Sequence, residues 1–404
     1  MANTLLTIGM ITNEALDVLH NMLQFTKGVN RQYDSSFGQS GAKIGTTLNV
    51  RKPPRYIGRV GQNVSIENAT ETSVPVVLNT QRGVDISFSS ADYELSITDF
   101  SRQFIKPAVV SIANHIDLDG LLMANQTTYN QTGTPGTTPA SIDPYLNAGV
   151  VLDNNATPRD GERNLILNPQ ANATLLSSLK NIFNAPKRIS QQNDDGLMES
   201  GYGFNMSMDQ NVQVQTTGPL GGTPLVNGAG QVGSNLVTNG WTAAAALRLN
   251  VGDVITIAGV FNVNPVSLQT TGVLKQFVVT AAASSDAGGN VTIPISPAIV
   301  IAPSGFQNVT NAPAAGAAIT VSGAAGVNSP QNLLYHRNAF TLACADLPLP
   351  RGVHEAARKA DKQTGLSIRM VSAYQVSTDQ FITRMDILYG WAALYPEWSC
   401  RVAG

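Results

Sequence analysis

Charge is what this chain of 404 residues lacks most. Only 13% of it is Asp, Glu, Lys or Arg, and the net charge is −2. The usual charged share is about a quarter, so much of the surface must be Asn, Gln, Ser, Thr and Gly. Such a surface sheds water at little cost and suits broad contact with other protein. A dedicated nucleic-acid binder, with its strong basic excess, is excluded. Cysteine is nearly absent: Cys344 and Cys400 are too far apart for a zinc or redox motif and are expected to be buried or partly buried free thiols. No apolar run reaches eighteen residues, so no membrane-spanning helix is expected. The opening "MANTLLTIGMITNEALDVLH" has neither the basic start nor the sustained apolar stretch of a signal peptide, so synthesis and use in the cytoplasm, or assembly from there, is the expectation.

Catalytic signatures are missing too. There is no phosphate-binding Walker loop, no GxGxxG and no GxSxG. The four histidines, His20, His115, His336 and His354, are scattered. In "HIDLD", His115 and Asp119 share a helix face at i, i+4, the best metal candidate. Two ligands without a third are weak grounds for a site, and an exposed pair on a polar helix face is the simpler reading. "NDDGLME", Asn193 to Glu199, lacks the alternating oxygens of a calcium loop. His354 and Glu355, near Arg358 and Lys359, read as a solvated helix face. Asp379, Arg384 and Asp386 read as an interface ion pair or plain surface. No catalytic residue, metal or cofactor is assigned, and the chain is not read as an enzyme.

What is present is organisation. Residues 1–38 form an N-terminal arm with one short helix: Thr12 can cap it, Glu14 and Asp17 lie in or near its first turns, where the helix dipole favours acids, and Ala15, Leu16, Leu19 and Leu23 supply an apolar stripe. "TLNVRKPPRYIGRVG", Thr47 to Gly61, carries Arg51, Lys52, Arg55 and Arg59 on a stretch that Pro53 and Pro54 keep extended. With "TSVPVVLN" it makes a two-stranded excursion over 45–78. Val84, Ile86 and Phe88 alternate as a half-buried strand. The strongest helix covers about 98–128, with Thr98 as cap and Phe100, Phe104, Ala108, Ile112, Ile116 and Met123 on one face; Pro107 means that it starts near Lys106 or bends there. Residues 140–215 look α/β. Residues 216–332 hold only Arg248, Asp253, Lys275 and Asp286 as charges, and their short β-branched runs between turn residues read as an all-β barrel or sandwich inserted into a host fold. The remainder returns to the host, with 352–365 a helix or loop and the rest strands.

"FTKGVNRQYDSSFGQSGAKIGTTLNVRKPPRY", "FSRQFIKPAVVSIANHIDLDGL", "LGGTPLVNGAG", "LRLNVGDVITIAGV" and "HRNAFTLA" resemble the coat proteins of short-tailed bacteriophages of the P22-like group, most closely over 1–226. The resemblance implies an α+β, Hong Kong 97-type capsid fold. Its parts are an N-arm at 1–38, an extended loop at 45–78, and a peripheral domain at 79–139 and 367–404 built on the spine helix. An axial domain at 140–215 and 333–366 and an inserted β domain at 216–332 complete it. The implied function is a major capsid protein that self-assembles into pentamers and hexamers of an icosahedral head enclosing double-stranded DNA. Assembly would be scaffold-directed, with later expansion, and a portal protein would occupy one vertex.

Arg51, Lys52, Arg55 and Arg59 are then expected to meet acids of a neighbouring subunit. Glu67 and Glu71 are candidate partners in the same loop or across the contact; solvation and nonspecific contact with packaged DNA are the competing roles. Glu14 and Asp17 become candidate contacts for a basic scaffolding helix. Related insertions carry a charged loop near their start, whereas "GAGQVGSNLVTNGWTAAAA" has no charge. Three rivals remain: an encapsulin-like compartment shell, a glycan-binding surface protein using exposed Trp241, Phe261, Phe277 or Phe306, and a metal hydrolase using His115 and Asp119.

Overall fold

The β-branched alternating stretches fold as strands and the longer apolar-periodic ones as helices, giving an α+β architecture in a computed structural model that describes residues 23–32, 47–58, 61–64, 66–68, 71–89, 106–179, 200–360 and 366–404. The described residues divide into two compact units, one drawn from 1–50, 74–120 and 340–392, the other from 51–73, 121–339 and 393–404. Thr12, Glu14, Asp17, Arg59, Thr98, Phe100, Phe104 and the 193–199 loop lie outside the described residues. Among the described residues, no helix is long and apolar enough to cross a membrane.

Strands β1 (Thr47–Lys52) and β2 (Thr72–Val77) pair as a ribbon. A second, five-stranded sheet contains β3 (Thr80–Ser89), β18 (Phe340–Ala345), β19 (Glu355–Ala360), β20 (Ser367–Gln375) and β21 (Gln380–Ala393). β3 alternates half-buried and exposed residues, as a strand with one covered face must. Helix α1 runs Lys106–Thr127. Pro107 stands in its first turn, where a missing N–H breaks no helical hydrogen bond. Ala108, Ile112 and Ile116 face the core.

The 355–360 segment is a correction. "EAARKA" has good helix formers, yet it pairs in antiparallel register with β20, from Glu355–Ser372 to Ala360–Ser367. Tertiary pairing overrides a propensity of only a few tenths of a kcal/mol per residue, roughly. The pairing sets Arg358 opposite Arg369. The two guanidiniums diverge: Arg358 goes to Asp346 at 3.3 Å and Arg369 to Asp386 at 2.6 Å.

"HIDLD" is resolved by helical geometry. Residues two apart on a helix point to nearly opposite sides, so Asp117 and Asp119 have separate tasks. Asp117 is buried and accepts four hydrogen bonds from the later part of the N-arm: Gln24 N–H at 2.7 Å, Phe25 N–H at 3.2 Å, Thr26 N–H at 3.1 Å and the Thr26 hydroxyl at 2.6 Å. That places Phe25 in the core, stacked on Trp391 with ring centres 5.1 Å apart. Gly120 is needed there, because a Cβ would lie 2.6 Å from the Trp391 ring and 2.8 Å from Phe25.

In the second unit, a seven-stranded sheet contains β4 (Gln131–Gly133), β5 (Arg163–Leu167), β6 (Ser200–Gly201), β7 (Phe204–Met208), β8 (Val214–Thr216), β17 (Asn328–His336) and β22 (Ser399–Ala403). Helices α2 (Asp143–Asn154) and α3 (Pro169–Leu179) cover it, sharing a core with Tyr145, Leu152, Leu175, Phe204, Leu334 and Val402. Asn168 caps α3: its side-chain oxygen accepts the Ala171 N–H at 2.7 Å, and Pro169 follows at the first helical position, where proline is preferred.

β8 and β17 pair antiparallel through Thr216–Asn328, so the chain leaves and re-enters this sheet at adjacent points. Everything between is a barrel-like β structure. β9 (Gly222–Val226), β10 (Gly233–Trp241), β12 (Val254–Val263), β13 (Thr270–Val279), β15 (Val291–Ile299) and β16 (Ile319–Val321) line up in the order β16-β12-β13-β15-β10-β9. A bridge from Leu225 to Ala318 brings β9 back to the β16 end, and closure removes exposed edges. β11 (Ala246–Leu249) and β14 (Ala283–Ser285) form a separate pair. The neck is stitched by Asp253, which accepts the Gly218 N–H at 3.0 Å, the Asn250 N–H at 2.8 Å and a Gln215 side-chain N–H at 3.0 Å. Burial pushes its carboxyl up, and those donors oppose the shift. Both cysteines are buried and free; burial pushes the Cys400 thiol up to about 12.

Candidate functional site

Pro53 and Pro54 carry β1 into an irregular extended stretch, 53–58, and its cations part company there. Arg51 stays in solvent, 3.8 Å from Glu71, with the two side chains 82% and 58% exposed. A pair that wet contributes about 0–1 kcal/mol. Arg55 turns inward instead. Its guanidinium meets Glu397 at 2.9 Å and lies 5.7 Å from the centre of the Phe306 ring. Lys52 sits 4.7 Å from the centre of the Tyr395 ring. Burial pulls its ammonium below the usual lysine range; Glu397 opposes the shift and Arg55 adds to it.

Neither inward cation pairs with Glu67 or Glu71; within the loop, Arg51 is the cation that approaches Glu71. Glu67 accepts the Ile57 N–H at 2.7 Å and so ties the two sides of the excursion together. Beyond that tie, Val64 and Ile66 are 81% and 88% exposed. Apolar side chains that bare are suited to being covered by another surface.

The base of the loop faces the β insertion. Gly305 is required because a Cβ would collide with the Arg55 carbonyl. Lys275, one of the insertion's four charges, is buried; its ammonium donates to Asn262 Oδ1 at 2.9 Å and lies 4.5 Å from the Tyr129 ring centre. Burial lowers its pKa to about 8 against the pull of Glu397, with Arg55 adding to the depression. Next to it, Gln276 clamps the Gln131 backbone, accepting its N–H at 2.7 Å and donating to its carbonyl at 2.9 Å. A cavity of about 320 Å³ and a second of about 130 Å³ share Arg55, Phe306 and Glu397 as walls.

The metal candidates do not hold as sites. Asp119 is taken by Arg82, at 2.9 Å and 3.2 Å, and by the Tyr389 hydroxyl at 2.6 Å. His115 donates Nδ1–H to the Ser111 carbonyl at 2.7 Å, so the two are not the mutual surface pair expected of them. A different trio, Asp160, Glu162 and His336, has its ligand atoms within 4.8 Å of one another. His336 is buried, its Nδ1 accepts the Asn338 N–H at 3.2 Å, and its Nε2 therefore carries the proton it gives to Asp160 at 3.0 Å. A metal at Nε2 needs the other tautomer, which that backbone N–H opposes. Glu162 pairs with Arg337 at 3.0 Å. The trio is a structural hydrogen-bond set.

Of Asp379, Arg384 and Asp386, the last two pair at 2.9 Å, and the first lies apart from that pair. Asp379 accepts the Tyr374 hydroxyl at 2.9 Å. Asp386 is buried between Arg369 and Arg384 and also accepts from Gln81 at 2.6 Å. Two of the aromatics that a sugar-binding insertion would need exposed, Trp241 and Phe277, are in the barrel core.

The family model described as "P22 coat protein - gene protein 5" matches residues 2–402. No curated protein matches the chain. Solved structures similar to it include one titled Mycobacterium phage Che8, at 10% identity, a TM-score of 0.47 and coverage of 94% of this chain and 90% of the other. Another is the asymmetric unit of the bacteriophage PhiM1 mature capsid, at 10% identity, TM-score 0.42, with 89% and 82% covered. A third is a virus-like particle from Pyrococcus furiosus, at 8% identity, TM-score 0.41, with 98% of each chain covered.

Proposed function

The chain belongs to the P22 coat protein family, and from that premise we propose that it is the major capsid protein of a phage head. It builds pentamers and hexamers of an icosahedral shell with the Hong Kong 97-type fold, around double-stranded DNA contacted nonspecifically. The shell is scaffold-directed, carries a portal protein at one vertex, and is assembled in the bacterial cytoplasm. In this reading residues 1–38 are the arm and 45–78 the extended loop. The peripheral domain is 79–139 with 367–404, the axial domain 140–215 with 333–366, and the insertion 216–332. One observation carries the reading: a loop bound at its base by Arg55 and Glu397 that bares Val64 and Ile66 beyond. Repetition of one such heterologous contact closes a ring when the rotation allows it.

Arg51, Arg59, Glu67 and Glu71 are the neighbour-facing charges, setting register more than affinity. Lys52 and Arg55 hold the loop's root on its own chain. Glu14 and Asp17 meet the scaffold. Co-expression with the scaffolding protein and sedimentation of the product tests this: closed, uniform shells are expected, and a monomer under all conditions refutes it. Glu14→Lys with Asp17→Lys is expected to abolish scaffold-dependent shells while leaving the subunit's circular dichroism unchanged; normal assembly of the double variant removes the scaffold contact from the account.

A further inference from the structure

The insertion buries two cations and holds them differently. Arg248 donates to Ser285 Oγ and to the carbonyls of Leu220, Thr242 and Ala244. Lys275 has one hydrogen-bond acceptor among the described residues, the side-chain oxygen of Asn262 at 2.9 Å. An ammonium carries three donors, so a lysine buried for structure alone is better served by several acceptors. The two residues sit on neighbouring antiparallel strands, Asn262 on β12 and Lys275 on β13. The register between those strands shifts between Phe261 and Val263, at Asn262 itself, and such an irregularity re-aims a side chain. The carbonyl bond from Oδ1 to Cγ is about 1.2 Å long, so Asn262 Cγ lies within about 4.1 Å of Lys275 Nζ. That comes close to the separation of atoms poised to react, roughly 3–3.5 Å. The amide nitrogen of Asn262 is directed at Asn155 Oδ1, 3.5 Å away. Lys275, Asn155 and Glu397 line one cavity of about 130 Å³, and Glu397 is its one carboxylate among the described residues.

We propose that Lys275 and Asn262 join covalently, closing an isopeptide bond between β12 and β13 within the subunit. Nζ attacks Asn262 Cγ, the Cγ–Nδ2 bond breaks, and a secondary amide replaces the primary one. The lysine ammonium carries three protons and the product amide one. The two that leave go to Nδ2, which departs as ammonium. Atoms and charge balance with no oxidant, reductant or co-reactant. The attack needs a lysine that sheds its proton readily. Burial provides that, lowering the Lys275 pKa to about 8 against the pull of Glu397, with Arg55 adding to the depression. Glu397 is the group on the cavity wall that can take a proton from Nζ and pass it to Nδ2, a task positioned carboxylates perform. The product is neutral, so the reaction also removes a charge whose burial is costly. The link fastens β12 to β13 where β13 meets Tyr129. The reaction is a property of the single subunit and stands or falls apart from shell assembly.

The test is the mass of the full-length chain, intact and after chymotrypsin, which cuts between the two residues at Leu268. The linked chain is expected to be lighter than its sequence by one ammonia, about 17 Da. Its fragments carrying Asn262 and Lys275 are expected to stay joined. A chain at full sequence mass, with those fragments separate after long incubation near the lysine's pKa of about 8, overturns the proposal. So does the same mass loss traced elsewhere, such as a succinimide at Asn227–Gly228 or Asn239–Gly240. Lys275→Arg keeps a cation beside Tyr129 but cannot form the link, and Asn262→Ala removes the acceptor carbon. Both are expected at full sequence mass, and ammonia loss retained in either overturns the proposal. Glu397→Gln is expected to lower the linked fraction of freshly made protein about tenfold or more; an unchanged fraction overturns the proton route through Glu397. The mass of the native chain needs no variant, so the proposal stays testable if a substitution misfolds.

Discussion

Asp117→Ala is expected to destabilise the subunit by about 3–5 kcal/mol, among the largest losses that a single side chain here can cause. The carboxylate accepts three backbone N–H groups and one hydroxyl. Truncation leaves those donors, most of them buried, without an acceptor, at roughly 1–3 kcal/mol each where water cannot enter. The partial relaxation of a short segment keeps the total below the simple sum. Asp117→Asn keeps one acceptor oxygen but turns an N–H donor on the same amides, so about half the loss is expected to remain. Urea denaturation measures the change. Hydrogen exchange locates it: amides 24–26 lose protection first, while those of the β insertion keep theirs. If Asp117→Ala costs under about 1 kcal/mol, the carboxylate does not anchor residues 24–26 of the N-arm.

Asp386→Ala is expected to cost a similar about 3–5 kcal/mol, by a different route. Removing the carboxylate strands Arg369, whose side chain is mostly covered, inside the sheet. Arg384 is 50% exposed, so Arg384→Ala is expected to cost only about 0–1 kcal/mol. The pair also imposes a pH dependence. Burial alone would raise the Asp386 carboxyl, but Arg369 above all, with Gln81 and Arg384, holds it below the ordinary carboxylate range. The folded state therefore gives up this proton more readily than the unfolded chain. Its stabilisation is complete above the unfolded value of about 3.9 and drains away as pH falls through the lower folded value. Denaturation midpoints measured from pH 6 down to pH 2 are expected to fall more steeply for the native chain than for Asp386→Asn. Parallel curves would mean that the carboxylate is not held by the arginines.

Local pattern carried much of this fold. Periodicity marked α1 and β3, and Pro107 falls in the first turn of α1, where proline does no harm. The drop in charge at 216–332 marked the barrel, because a chain segment that needs no charged face reads differently from its host. What local pattern missed is long-range. Helix-forming residues at 355–360 became a strand because β20 offered a full register of partners. In "HIDLD" the residue that matters most is the one between the two metal candidates, and nothing nearby in sequence announces Gln24, Phe25 and Thr26 as its donors. Lys52 and Arg55 read as members of an exposed cationic arm, since their true partners, Tyr395 and Glu397, lie some 340 residues along the chain. A buried lysine in an uncharged segment was the one available signal for the loop-root cluster: Lys275 stands almost alone in its stretch, and a lone cation among β-branched residues needs a specific reason to be there.

The account turns on where the extended loop goes in the assembled particle. Electron cryomicroscopy of shells formed by this chain, at a resolution that traces side chains, answers it directly. The predicted result is that residues 56–66 of each subunit lie on a neighbouring copy with Val64 and Ile66 covered, while Arg55 remains on Glu397 of its own chain. Loops that stand free in solvent in a closed shell, or particles that never close under any combination of assembly partners, would contradict it.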